Sequence, residues 1–433
     1  MSNVRNVLEH GEGILHLMPS WVPRSFNEPG RRLRLHPDDY YALGMDRGGI
    51  CERWLGSLAR ALNGPKTGET EGMSYVLEDP ATKSVRLFKD YVDELGSDLI
   101  GDDLMSKYGT WPTFAKLYDY DKPLFHHLHL TEEKAARIGM HGKPEAYYFP
   151  PQYNCSYLGR FPLTYFGFDP STTKQEVMEC LENYDTKDNR ITELSRAYRI
   201  QLGTGWYTPA GVIHAPASVV TFEPQWNSDV NTIMENVTMG EVNPHNLLTD
   251  CAPEEEKDDL DAIFNQIDWE ESTRPDYKET YFRAPRLKCE TPAASEKWIA
   301  YANDWVAAKE VTVLPGQSYT LTDQACYCAV IVQGHGAFGV FECEAPELIR
   351  YGDVTGDEYF ISEAAAKKGV KIVNASSYQP LVILQNFAIP KCRQPSSRSV
   401  VQPPGRRGAR AAISAHNPSF HMCPSFSKPR LPS

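Results

Sequence analysis

The chain has 433 residues, 41% of them hydrophobic and 23% charged, with a formal net charge of −13. That length and composition predict two to three ordinary globular domains, and the acidic balance excludes a chain-wide nucleic-acid-binding face, which needs Lys and Arg in excess. The charge is nevertheless split: residues 1–390 carry −21, whereas residues 391–433 hold eight basic side chains and no acidic one.

No transmembrane helix is readable. The longest apolar stretch without formal charge, residues 326–341, spans 16 residues and contains three glycines, so it reads as two short strands around a turn. The opening MSNVRNVLEHGEG lacks the apolar core and cleavage site of a secretory signal. Ten cysteines without a CxxC pair predict reduced thiols. These features together predict a cytoplasmic protein with no membrane partner.

In chain order, residues 1–110 mix helical and irregular signals. From Thr110 onward short β-type runs such as PLFHHLHL, AYYFP, WYTPAG and ASVVTF are broken by Gly and Pro. Between them, the apolar spacing of Val177, Met178, Leu181 and Ile191 predicts a helical segment over 171–202, and the acidic run 253–271 predicts a solvated surface helix. From Trp298 onward VTVLPGQSYTL, CYCAVIVQGHGAFGVF, ELIRYGDVTGDEYFI, VKIVNAS and LVILQNF follow at regular spacing, the pattern of a β-barrel or sandwich. The expected architecture is mainly β, two consecutive jelly-roll units with helical insertions. The tail after Pro390 is rich in Pro, Ser and Arg without periodicity, a composition that predicts disorder.

Three elements carry chemistry. On a strand, His127 and His129 share one face and His126 the other, which makes half a metal site. Glu145 follows in GKPEAYY, a turn leading into an aromatic strand. The run Gly203 to Ser218 fits G-x5-P-x-G-x2-H-x3-N at every defined position except the last, where Ser218 stands; this resembles the second motif of the cupin superfamily, in which Pro and Gly make a tight turn and the His, here His214, points into the barrel at a metal. His127, His129, Glu145 and His214 form a three-histidine, one-carboxylate set suited to a divalent cation, zinc first, with Mn, Fe, Co or Ni as alternatives.

A narrower resemblance runs from Gly49 to about Asn236. Ile50 to Ser57 (ICERWLGS), Phe114 to Leu117 with Asp121 to Leu124, HHLHLTEEKAA followed by GKPEAYY, PAGVIHA, and Thr221 to Asp229 resemble, in order and spacing, segments of class I mannose-6-phosphate isomerase, a metal-dependent bicupin. The resemblance implies two tandem cupin jelly-roll barrels: residues 1–290 as the metal-binding cupin with helical segments, and 291–390 as a cupin without metal ligands, in which His335 reads as a turn residue. Residues 391–433 are left as the basic tail. Leu35 to Ala42 (LHPDDYYA) is a coincidental turn, because it precedes the ERW segment and no Lys-Pro-Glu follows at the right distance.

The function implied is a metal-dependent aldose–ketose isomerase acting through a cis-enediol on a small-molecule sugar or sugar phosphate. Lys143 is expected to orient the substrate or do acid–base work, Glu223 or Asp229 to be the catalytic base, and Tyr147, Trp206 and Tyr207 to form a sugar wall or core packing. Three positions depart from the family pattern: His127 replaces a glutamine ligand, Phe125 a phosphate-binding serine, and Ile233 an arginine. A non-catalytic sugar-binding or regulatory bicupin and an Fe(II) oxygenase are the alternative readings, and the oligomeric state is left open. Because the tail contains none of these residues, a chain ending at Pro390 is expected to fold and bind metal as the full chain does, checked by metal analysis and circular dichroism.

Overall fold

Strands dominate because β-branched and aromatic residues alternate with turn residues at short intervals. In the computed structural model, which describes residues 3–154 and 162–388, the named strands pair antiparallel in stacked sheets. The basic tail lies outside the described residues. A five-stranded sheet has the spatial order Ser195–Arg199, Leu163–Phe168, His214–Ala215, His127–Leu128, Thr232–Ile233. A seven-stranded sheet runs Phe282–Arg283, Gly205–Thr208, Glu145–Tyr148, Thr221–Trp226, Thr113–Tyr118, Gly49–Leu55, Ser20–Arg24. A nine-stranded sheet is built mostly from residues after 285 and is extended by Ile14–Met18, Tyr75–Asp79 and Ser84–Leu87; a four-stranded sheet from residues 318–374 packs on it.

The seven-stranded sheet is buried on both faces. Leu55, Leu117, Ala146, Tyr148 and Phe222 share a core with Val306, Val330, Phe360 and Leu384 of the nine-stranded sheet. Tyr118, Tyr147 and Trp206, displaced by one residue along their strands, point the other way onto Phe166 of the five-stranded sheet. The space between the five- and seven-stranded sheets is where the site residues converge.

Two helical expectations change. In 171–202 only Lys174–Glu182 is α-helix, started by a capping box between Thr173 and Glu176. The polar stretch 183–190 ends it, with Arg190 at φ +56°, and Ser195–Arg199 becomes an edge strand. The acidic run 253–271 is three short helical pieces, and Ile263, Phe264 and Ile267 are buried against Leu128, Ile213 and Met234. Its carboxylates are solvated, but three apolar side chains anchor it beneath the histidine-bearing strands. His335, expected in a turn, instead opens the strand His335–Phe338. The LHPDDYYA decoy is a 3₁₀ turn in which Asp39 accepts from Arg350. Seven cysteines among the described residues are free thiols, and no helix among them is long and apolar enough to cross a membrane.

The seven- and nine-stranded sheets are also joined by charge. Arg53, 1% exposed, donates two hydrogen bonds to Asp357 at 2.7 and 2.8 Å and one to Glu358 at 3.0 Å. Burial, reinforced by the neighbouring Asp357 carboxylate, pushes the Glu358 carboxyl up to about 8 despite Arg53. Arg53→Ala leaves two buried carboxyls without their cation and is expected to cost about 3–5 kcal/mol in urea denaturation. A carboxyl whose pKa rises on folding favours the folded state below its ordinary value of 4.5 and loses that contribution as pH climbs to about 8. Melting temperature is therefore expected to fall between about pH 5 and 8, and the fall to be shallower in Glu358→Gln.

Candidate metal centre

The register of the two facing sheets brings the ligand candidates together. His214 pairs directly with His127 in the five-stranded sheet, so both imidazoles leave the same face. His129 follows two residues on, and Glu145 enters from the seven-stranded sheet. The turn before His214 requires Gly211, whose φ is +87°; its N–H donates to the carbonyl of His129 at 2.7 Å and ties the two ligand segments together. A Cβ at Gly211 would lie 3.0 Å from that of Asp268. Ser218, in the position expected for Asn, donates to the carbonyls of Tyr120 and Asp121.

Each imidazole is latched in one tautomer. Nδ1 of His127 lies 2.9 Å from the carbonyl of Phe125, Nδ1 of His129 2.8 Å from that of Val230, and Nδ1 of His214 2.9 Å from that of Val212. A carbonyl can only accept, so every Nδ1 carries hydrogen and every Nε2 keeps its lone pair, the arrangement second-sphere partners impose on metal-binding histidine. One potential ligand atom from each of the three residues lies within 4.8 Å of the others, and this is the one such group among the described residues. Burial and the adjacent imidazoles hold His127 well below its ordinary pKa; burial and the Lys143 ammonium push His129 down to about 4. Neutral imidazole is the form a cation needs.

Glu145 completes the group, with one oxygen 3.1 Å from Nε2 of His129 and the other 3.2 Å from Nε2 of His214. It is fully buried, yet neither of its oxygens nor Nε2 of His214 has a hydrogen-bond partner of good geometry. Burial works to raise this carboxyl, but the Lys143 ammonium and His129 override it and hold it well below the carboxylate range. The Lys143 ammonium reaches one Glu145 oxygen and Nε2 of His129 but leaves Nε2 of His214 unmatched; acceptors sealed from water and aimed at one another are costly without a further cation, and a nitrogen-rich set with one carboxylate fits a divalent transition metal.

A chain of buried charges leads away from the ligands. Lys143 Nζ is 2.8 Å from Glu145, 2.9 Å from Nε2 of His129 and 3.5 Å from Glu223. Glu223, directly opposite Lys116 in the register, is 3.1 Å from its ammonium. Lys116 is 3.8 Å from Glu52, and Glu52 in turn pairs with Arg24 at 2.9 Å. Burial and the Glu145 charge push Glu223 up to about 8 against both lysines. Six of the seven residues singled out from sequence thus lie in mutual contact. Asp229 is farther along the chain: it accepts from Arg24 at 3.0 Å and from the Leu62 N–H at 2.8 Å. Sequence reasoning gave no role to Arg24, Glu52 or Lys116; the only signal was an ionisable residue inside an otherwise apolar strand.

Ile233 lies opposite His127 in the register and is 1% exposed; Phe125 sets its ring 5.5 Å from that of His127 and 5.1 Å from that of Phe26. Trp206 packs among Phe166, Tyr198 and Phe282, Tyr147 against Tyr118 and Phe166, and Tyr207 on Tyr281.

No family model matches the sequence, and no curated protein matches it significantly. Solved structures do match. Mannose 6-phosphate isomerase from Bacillus subtilis superposes with a TM-score of 0.58 at 14% identity, over 87% of this chain and 99% of that one. A single-site mutant of phosphomannose isomerase from Salmonella typhimurium gives 0.58 at 12% identity over 87% and 99%. A mannose 6-phosphate isomerase bound with zinc and yttrium gives 0.55 at 13% identity over 86% and 99%. The chain therefore has the mainly β fold of these isomerases.

Removing one nitrogen ligand is expected to weaken zinc binding by more than about 100-fold in His214→Ala, the upper range for loss of a supporting outer residue alone. Competition with a chromophoric chelator measures this, and a circular dichroism spectrum like that of the parent would show the fold intact.

Proposed function

We propose that the protein is a metal-dependent aldose–ketose isomerase of the mannose-6-phosphate isomerase type. The observation that carries this reading is a proton-handling pair, Lys143 and Glu223 at 3.5 Å, beside a buried carboxylate and three converging histidines whose Nδ1 atoms are each held by a backbone carbonyl. His127, His129, His214 and Glu145 would hold the cation, zinc by analogy with the zinc-bound neighbour. A bound divalent cation would polarise the sugar carbonyl and stabilise the oxyanion that develops when the adjacent C–H ionises.

The remaining work falls to the chain. Interconverting an aldose and a ketose through a cis-enediol moves one proton from C2 to C1, and one from the C2 hydroxyl to the carbonyl oxygen. Glu223 is raised to about 8 and can take or give a proton near neutral pH. Lys143 stays within reach of Glu223 and Glu145 and can pass a proton to the sugar oxygens. Lys116 fixes Glu223 from its far side, and Asp229 supports the site by holding Arg24. The ligand residues are 5% exposed or less, which keeps bulk water from quenching the enediol.

In this reading residues 1–290 form the metal-binding cupin and 291–390 a cupin that shapes and supports it, the two together a bicupin. A sugar or sugar phosphate is the substrate and the cytoplasm the working compartment. Glu223→Gln, which removes the proton but keeps the shape, is expected to lower kcat by about 10²–10⁴-fold with zinc content unchanged. The assay is aldose–ketose interconversion across a panel of hexoses, pentoses and their phosphates, read by separating the two sugars. Stoichiometric zinc without interconversion of any of them would overturn the isomerase reading.

A further inference from the structure

Beside the metal-site strands lies a hollow of about 690 Å³, within the usual range for a small-molecule site. Phe26, Asn231, Ile233, Glu241, Asn243 and Asp250 are among its walls, and no Lys or Arg lines it. Ile233 connects it to the chemistry, because this residue stands opposite His127 in the sheet register, and Phe26 meets Phe125 in an edge contact, as Phe125 in turn meets His127.

Every cation around the hollow is already engaged. Arg24 donates to Glu52 through Nε and Nη2, to Asp229 through Nη1 and Nη2, and to Asn63 through Nη1, which uses all five donors of its guanidinium. Lys122 pairs with Glu241 on the rim, Lys116 with Glu223 and Lys143 with Glu145. The remaining polar walls are rich in acceptors: Asn243 spends its amide hydrogens on the Glu235 carbonyl and Thr238 hydroxyl, and Asp250, which accepts from Asn246 at 2.9 Å, adds a carboxylate. Hydroxyl donors are the natural complement of such walls, whereas a phosphate dianion would meet acceptors and two acids with no free cation to pair with.

We propose that this hollow receives the sugar and selects an unphosphorylated one. The inference rests on the isomerase reading for its chemistry, but not for its selectivity. Hydroxyls of a free aldose or ketose bond Asn231, Asn243 and Asp250, the apolar face of the ring lies on Phe26 and Ile233, and the carbonyl end points toward the histidines.

The test uses the full-length zinc-loaded protein with d-mannose, d-fructose, d-xylose and d-ribose, each against its phosphate monoester. A kcat/KM at least about tenfold higher for free sugars is expected from the like-charge penalty on the ester. Ile233→Arg, which supplies a cation opposite His127, is expected to shift that ratio toward the ester by about tenfold or more, and Glu241→Gln, which releases Lys122, to shift it in the same direction by a smaller factor. Preference for the esters would overturn the inference and leave the isomerase standing. If no sugar turns over, the isomerase reading fails and calorimetry decides selectivity: binding of d-fructose over fructose 6-phosphate upholds it, and binding of neither, or of the phosphate alone, overturns it.

Discussion

The structure depends on charges sealed between two β-sheets. Four carboxylates, Glu52, Glu145, Glu223 and Asp229, alternate with three cations, Arg24, Lys116 and Lys143, all of them nearly or fully buried. Each ion has lost its hydration and is tolerable only while its neighbours of opposite sign stay within a few ångströms. The arrangement therefore holds Gly49–Leu55, Thr113–Tyr118, Thr221–Trp226 and Glu145–Tyr148 in one register, since a slip by one residue would carry each charge to the apolar face. Glu145, held ionised, ends the series where three neutral histidines converge, which is where a divalent cation fits.

That same sheet separates chemistry from stability. Its charged and aromatic face looks toward the histidine strands, while Leu55, Leu117, Tyr148 and Phe222 on the opposite face pack on the nine-stranded sheet. Arg53 is the exception, a cation on the apolar side, and it is matched at once by Asp357 and Glu358. Because Glu52 and Arg53 are adjacent residues on opposite faces, the site and the inter-sheet strut are set by one strand. The ligand geometry itself comes from backbone carbonyls of Phe125, Val212 and Val230, so the chain's path, more than any one supporting side chain, orients the imidazoles.

The periodicity that was readable in the chain is the periodicity of local geometry. His127 and His129 at a two-residue spacing had to share a face if the segment was extended, and Pro209 and Gly211 before His214 had to make a turn. Those relations hold in the structure. The spacing of Val177, Leu181 and Ile191 overran the helix, because nothing in apolar spacing alone weighs Asn183 to Arg190 as a terminator. The acidity of 253–271 likewise concealed Ile263, Phe264 and Ile267, which are too few to shift the composition but enough to anchor the segment.

By itself, then, the sequence determined the mainly β class, the faces on which the candidate ligands lie and the residue types that suit a divalent cation, because these follow from side-chain chemistry and the two-residue repeat of a strand. Only the tertiary structure decided which distant residues meet: that Glu145 comes within 3.2 Å of both His129 and His214, that Arg24 rather than solvent faces Asp229, and that Ile233 stands opposite His127 beside a hollow whose neighbouring cations are all paired. Such meetings depend on sheet register across more than 200 residues, and on the demand that each buried charge find its opposite, neither of which any local stretch of sequence contains.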